Sequence, residues 1–225
     1  MWKNSEIFWS EVIQHRPDFY VAYLNRGVYY KEKGDYQKAI EDYNQAIIVF
    51  PGYSEAYSNR AALYFKKNLK DLAEKDYLRA VELDPQNVLA YNNLGKIYLE
   101  NGRRDEAKFY FEKSIAIDPG FYPGHINLGN FYNEQGQYDL ALSYYNDALD
   151  VFSFSPEAYL NRGNLYFNTQ RYELAVQDYS KAIELKPDFM EAYQYRAIVY
   201  HTLGDISQAV QDEKMTQKLM NIFSK

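Results

Sequence analysis

Cysteine is missing from all 225 residues, which removes disulfides and thiolate metal ligands in any compartment. Histidine is nearly missing. His15, His125 and His201 are isolated, and no nucleophile–base grouping, glycine-rich phosphate loop or metal-ligand spacing appears anywhere in the chain. The chain is therefore expected to be no enzyme and to carry no cofactor and no metal. Positive charge is in deficit, with 25 lysines and arginines against 31 acidic residues. The resulting net charge of −6 argues against nucleic acid, whose affinity for proteins comes chiefly from phosphate neutralisation. No apolar run approaches the roughly 18 residues that a bilayer span requires, and no signal peptide stands at the start. No membrane insertion of this chain is expected, and a soluble, cytoplasmic location follows unless the chain is the tail of a membrane protein. Low-complexity stretches and linkers are absent too.

Proline is scarce, and its placement is informative. Five of the seven, Pro17, Pro51, Pro85, Pro119 and Pro187, stand 34 residues, or twice 34, apart. A period of that length marks a tandem array of helix–turn–helix units. Starting at Tyr20, the units are 20–53, 54–87, 88–121, 122–155, 156–189 and 190–223, with no insertion. Their fourth residues are Tyr23, Tyr57, Tyr91, His125, Tyr159 and Tyr193; their eighth are Gly27, Ala61, Gly95, Gly129, Gly163 and Ala197. The eleventh is tyrosine in all six (Tyr30, Tyr64, Tyr98, Tyr132, Tyr166, Tyr200), and the twentieth is always alanine, from Ala39 to Ala209. Small residues at the eighth and twentieth positions let two helices approach closely, while the tyrosines fill space against neighbours. The fifteenth residue, Gly34, Asn68, Gly102, Gly136, Gln170 or Gly204, ends the first helix, with Gln170 the weakest stop. In the fourth unit Ser153 replaces the proline and Pro156 follows, so a locally different turn is expected there.

This pattern resembles the tetratricopeptide repeat family over residues 20–223. The resemblance implies an all-α, right-handed superhelical solenoid of antiparallel helix pairs, acting as a protein-interaction scaffold. Residues 1–19 then read as a half-repeat, the second helix of an earlier hairpin. Either the chain is a piece of a longer protein or this half-repeat is a natural N-terminal cap. Trp2, Lys3, Asn4, Ser5, Phe8, Trp9, Val12 and Ile13 also resemble the junction where repeat tails follow the membrane part of O-mannosyltransferase-like proteins. That likeness implies a substrate-presenting tail of a membrane glycosyltransferase. At the other end Glu213 and Thr216 are polar where aromatic and alanine are usual, and a self-capping, solvent-facing last helix is expected.

Two regularities go beyond packing. The seventh position reads Arg26, Arg60, Leu94, Leu128, Arg162, Arg196, and the twenty-third Asp42, Asp76, Tyr110, Tyr144, Asp178, Asp212. Arginine goes with aspartate and leucine with tyrosine, without a mixed case, which predicts a bidentate contact between the two helices of one hairpin. A charged-ligand site is the alternative. The sixth position carries Asn25, Asn59, Asn93, Asn127 and Asn161, broken only by Tyr195. An amide offers one acceptor and two donors, so a row of them suits the main chain of an extended peptide. The row looks like the asparagine ladder in the repeat superhelix of O-GlcNAc transferase, which implies a protein or peptide guest on the concave face. Lys96, Asn130 and Asn164 at the ninth position, with Phe65, Leu99 and Phe167 at the twelfth, would line the same groove. A local structural role for these asparagines stands beside that reading, and so does a homo-oligomer assembled by stacking of the terminal helices. The family's clamp for a C-terminal carboxylate needs lysines at the second and fifth positions. None is present, which excludes an acidic chaperone tail.

Overall fold

Each repeat builds its own stop signals into the backbone. The fifteenth residue takes a left-handed conformation in the five repeats besides the first as well as in it, and two of the six are not glycine: Asn68 has φ 59° and Gln170 φ 58°. The residues before Pro51, Pro85 and Pro187 are extended, as proline requires of its predecessor: Phe50, Asp84 and Lys186 have φ near −136° and ψ near 90°. Phe152 adopts the same conformation although Ser153 follows it. The fourth repeat thus ends its second helix in the ordinary way. What differs is the next start, where Ser155 accepts a hydrogen bond from the Ala158 N–H (3.2 Å) and Pro156 occupies the first turn.

A computed structural model describes residues 5–223, and the chain divides into two compact units at Ile117/Asp118. The first holds α1 (Ser5–His15), α2 (Tyr20–Glu32), α3 (Tyr36–Val49), α4 (Ser54–Lys66), α5 (Lys70–Leu83), α6 (Val88–Glu100) and α7 (Arg104–Ile117). The second holds α8 (Tyr122–Glu134), α9 (Tyr138–Val151), α10 (Pro156–Asn168), α11 (Tyr172–Leu185), α12 (Met190–Leu203) and α13 (Ile206–Phe223). Helices pair antiparallel within each repeat, α2 with α3 through α12 with α13, and α1 packs on α2. The motif expected at residues 2–4 lies outside the described residues; Ile7 and Phe8 of α1 are exposed.

Within each unit the first helices of successive hairpins touch directly, α4 on α6, α8 on α10 and α10 on α12. They form the inner layer, and the second helices form the outer one. The seam between layers is made of the small residues: the twentieth-position alanines are fully buried from Ala39 to Ala209. Against them lie the largest fully buried side chains, Tyr43, Tyr77, Phe111, Tyr145 and Tyr179, all at the twenty-fourth position. Close approach of the two layers is what brings arginine and aspartate, and tyrosine and asparagine, within bonding distance. The expectation of a solvent-facing last helix holds for Glu213 and fails for Thr216, which is buried with an unpartnered hydroxyl.

Candidate functional site

Four hairpins carry the same ionic clamp. Arg26 Nε and Nη2 donate to the two carboxylate oxygens of Asp42 at 2.8 and 2.7 Å. Arg60 does so to Asp76, Arg162 to Asp178 and Arg196 to Asp212, every bond between 2.7 and 2.8 Å. The intra-hairpin contact read from the sequence is therefore present in all four. A third bond was not anticipated. Each Nη1 donates to the preceding hairpin's second helix: Arg26 to Ser10, Arg60 to Asn44, Arg162 to Asn146 and Arg196 to Ser180, at 3.1, 2.6, 2.7 and 2.8 Å. One guanidinium thus ties three helices and sets how consecutive hairpins stack.

Tyrosines wall the clamp. Arg60 lies 5.6 and 5.8 Å from the ring centres of Tyr57 and Tyr64, and Arg162 lies 5.5 and 5.8 Å from Tyr159 and Tyr166. Burial acts against the charge on Arg60, Arg162 and Arg196, yet the bonds to aspartate outweigh it and hold each pKa above the usual value. In the third and fourth repeats a tyrosine takes the aspartate's place. Tyr110 stacks on Tyr98 at 5.0 Å and Tyr144 on Tyr132 at 5.5 Å, and Leu94 and Leu128, in the arginine's place, are fully buried. The paired bonds close each clamp on itself and give it a structural role, while Arg60 and Asp76 also border an open cleft of about 670 Å³ with Lys75, Arg79 and Glu82.

The inner layer is where unspent polar groups face solvent. All five asparagines of the sixth position are half-buried, but they are not equivalent. Asn25 turns back and donates to its own helix at the Val21 carbonyl, 3.0 Å away. Asn93 donates to the Tyr77 hydroxyl at 3.0 Å. Among the described residues, the side-chain amides of Asn59 and Asn161 make no hydrogen bond within the chain. Asn127 is half-buried in the second unit. At the ninth position, Asn130 accepts from the Tyr145 hydroxyl and Asn164 from the Tyr179 hydroxyl, both at 2.7 Å, which leaves their N–H groups unspent. Half-buried Lys96 stands at the same position, and burial pushes its amine's pKa down. Phe65, Leu99 and Phe167 are half-buried as well, with Phe167 beside Tyr172. Where the ladder breaks, Tyr195 stacks on Tyr179.

The sequence reading missed this link between ladder and core. Buried tyrosine hydroxyls reach the inner surface, and the asparagines above them satisfy them in three hairpins. Tyr43 is the exception: fully buried, with Val28 at its ninth position and a hydroxyl without a partner. Tyr43→Phe is accordingly expected to be neutral or stabilising, because it removes an unsatisfied buried group. Tyr145→Phe is expected to cost about 1 kcal/mol, since it removes a made bond. Urea midpoints of the two variants check the contrast. His125 behaves as a core residue, buried, with Nε2 2.9 Å from the Pro119 carbonyl.

Tetratricopeptide repeat models match residues 20–53, 88–121, 110–143, 156–189 and 179–211, and a TPR repeat model matches 71–102 and 129–170. The chain belongs to the tetratricopeptide repeat family. Tetratricopeptide proteins mediate protein–protein interactions. Among solved structures, the APC/C hetero-tetramer Cut9–Hcn1 is similar, with a TM-score of 0.85 and 17% identity over 96% of this chain and 43% of that one. This chain therefore spans less than half of that chain's length. PilF of Pseudomonas aeruginosa is similar over 91% of this chain and 93% of its own (TM-score 0.79, 20% identity). YrrB, described as a TPR protein with an unusual peptide-binding site, is similar over 82% and 95% (TM-score 0.60, 20% identity). Identities this low speak for the fold alone. No curated protein matches the sequence. Among the described residues, no helix is long and apolar enough to cross a membrane.

Proposed function

We propose that the inner layer of each unit of this tetratricopeptide chain holds an extended protein or peptide segment by its main chain. The observation that carries the reading is the state of Asn59 and Asn161. Both are half-buried on first helices, and among the described residues neither side-chain amide bonds any group of the chain. A half-buried amide without partners forgoes hydrogen bonds that a peptide N–H and C=O can supply, and no side chain of the guest has to be read. Asn130 and Asn164 add unspent donors, and Phe65, Leu99 and Phe167 add half-buried apolar surface for the guest's side chains.

Because Asn59 and Asn161 contribute no internal bonds, replacing them tests binding without disturbing the fold. Asn59→Ala with Asn161→Ala is expected to leave the urea midpoint unchanged and to weaken capture of extended peptides about tenfold, measured on a peptide array and then by titration calorimetry. A second reading rests on the exposed Tyr195, Ile198 and Met220 beside the last hairpin, an apolar face suited to self-association. Sedimentation separates the two. A monomer whose peptide binding falls in the double variant supports the groove, whereas concentration-dependent oligomers with unchanged binding support stacking.

A further inference from the structure

In the first unit, a cleft of about 420 Å³ lies on the inner layer between α4 and the start of α6. Its lining includes Glu55, Ser58, Asn59, Asp84, Asn87 and Leu89. Most of the neutral polar atoms there are already used. Asn87 donates to the hydroxyls of Ser54 and Ser58 at 3.2 and 3.0 Å and accepts from the Ala90 N–H at 3.0 Å, which exhausts its donors. Ser54 donates to the Ala80 carbonyl at 2.9 Å. The carboxylates are not used in that way. Glu55 accepts from the Tyr53 hydroxyl at 3.1 Å and Asp84 from the Gln86 N–H at 3.0 Å. Among the described residues neither has a cationic partner, although ion pairs are frequent elsewhere on the surface. Leu89 stands at the edge, 61% exposed.

An independent feature marks the same place. The fully buried Tyr43 hydroxyl has no partner, and in the next repeat the equivalent Tyr77 hydroxyl is bonded by Asn93. Asn59 is the repeat equivalent of Asn93, and it lines the cleft. Burial first, then the charges of Asp42, Glu55 and Glu32, pushes the Tyr43 pKa up. By repeat equivalence, a buried donor lacking an acceptor is paired with the amide of a cleft that holds two carboxylates without cationic partners and an exposed aliphatic side chain.

We infer that this cleft takes a lysine or arginine side chain of the extended segment whose main chain the amides hold, an inference that rests on the groove reading above. The aliphatic stem lies along Leu89, and the cationic head sits between Glu55 and Asp84. Asn59, re-aimed by the main chain of that segment, supplies the acceptor that Tyr43 lacks. Selectivity for cationic segments follows, because a neutral or acidic side chain leaves both carboxylates uncompensated.

The test is selection of binders to the full chain from a random library of short linear peptides. Individual binders are then resynthesised with each basic residue replaced by norleucine. The expected binders carry lysine or arginine at one fixed place, and norleucine there weakens binding about fivefold. Glu55→Gln with Asp84→Asn should erase that difference at an unchanged urea midpoint, since neither carboxylate belongs to an arginine clamp. Glu173→Gln with Asp188→Asn, the same charge change in the second unit, should preserve it. Binders without a basic preference that still weaken on Asn59→Ala with Asn161→Ala would overturn the cationic subsite and leave the groove standing. Equal loss in both carboxylate variants would overturn it too, as the effect would then be net charge alone. Binders indifferent to the asparagine changes, or no binders, would remove the groove reading and this inference together.

Discussion

Arg60→Leu is expected to cost about 3–5 kcal/mol, because it leaves the Asp76 carboxylate charged, buried and unpaired. The side chain of Asp76 is only 6% exposed, and the two bonds from Arg60 are its neutralisation. The same change strips the Asn44 carbonyl of its donor and so loosens the contact between the first and second hairpins. Adding Asp76→Tyr should recover more than half of the loss. The third repeat shows why: with Leu94 in place of arginine, Tyr110 fills the aspartate's position, stacked on Tyr98 at 5.0 Å and 6.1 Å from Tyr91. Tyr57 and Tyr64 stand ready as the equivalent walls in the second repeat. Adding Asn44→Leu should recover more, since Leu78 occupies the corresponding place ahead of Leu94. Urea midpoints of the single, double and triple variants measure this. If the double variant shows the sum of the two separate losses, the two residue pairs are not interchangeable solutions to one packing problem.

The repeat period and its small and aromatic positions were enough to place the helices, because each such position has a geometric duty that few residue types meet. Pairing of the seventh and twenty-third positions was legible for the same reason: arginine occurs there only with aspartate, and leucine only with tyrosine. The third arginine bond escaped notice although its signal is present one repeat upstream. The residues preceding the arginine repeats at that place are Ser10, Asn44, Asn146 and Ser180, and those preceding the leucine repeats are Leu78 and Glu112. The ladder was legible only as a row of amides. Whether an asparagine is spent depends on what lies beneath it, and that varies from repeat to repeat. Tyr77 uses Asn93, Tyr145 uses Asn130, and the hydroxyl of Tyr43 uses neither neighbour. The cleft beside Asn59 escaped notice for a related cause, since its carboxylates come from the second position of one repeat and the turn before the next.

Gly129→Leu tests how firmly core and inner surface are coupled. A Cβ at Gly129 would stand 2.5 and 2.6 Å from carbons of the Tyr145 ring, closer than carbon atoms pack. The ring has little room to retreat, being fully buried and held by its hydroxyl on Asn130 at 2.7 Å. Alanine at Gly129 already requires ring and helix to part by about 1 Å, a spacing that the second repeat builds in with Ala61 in place of glycine. The gain in helix propensity over glycine offsets part of that, so Gly129→Ala is expected to cost about 1–2 kcal/mol. Leucine must expel the ring. Overpacking and the lost Asn130 bond together are expected to cost about 3–4 kcal/mol. Because Asn130 faces the inner layer, the displacement should also weaken peptide capture in whatever fraction stays folded. Tyr145→Ala in the Gly129→Leu background removes the obstruction and should leave the double variant more stable than the two separate losses predict, read from urea midpoints. Additive losses would mean that the hairpin opens freely at this seam, and that the asparagines above it are not held in place by the tyrosines below.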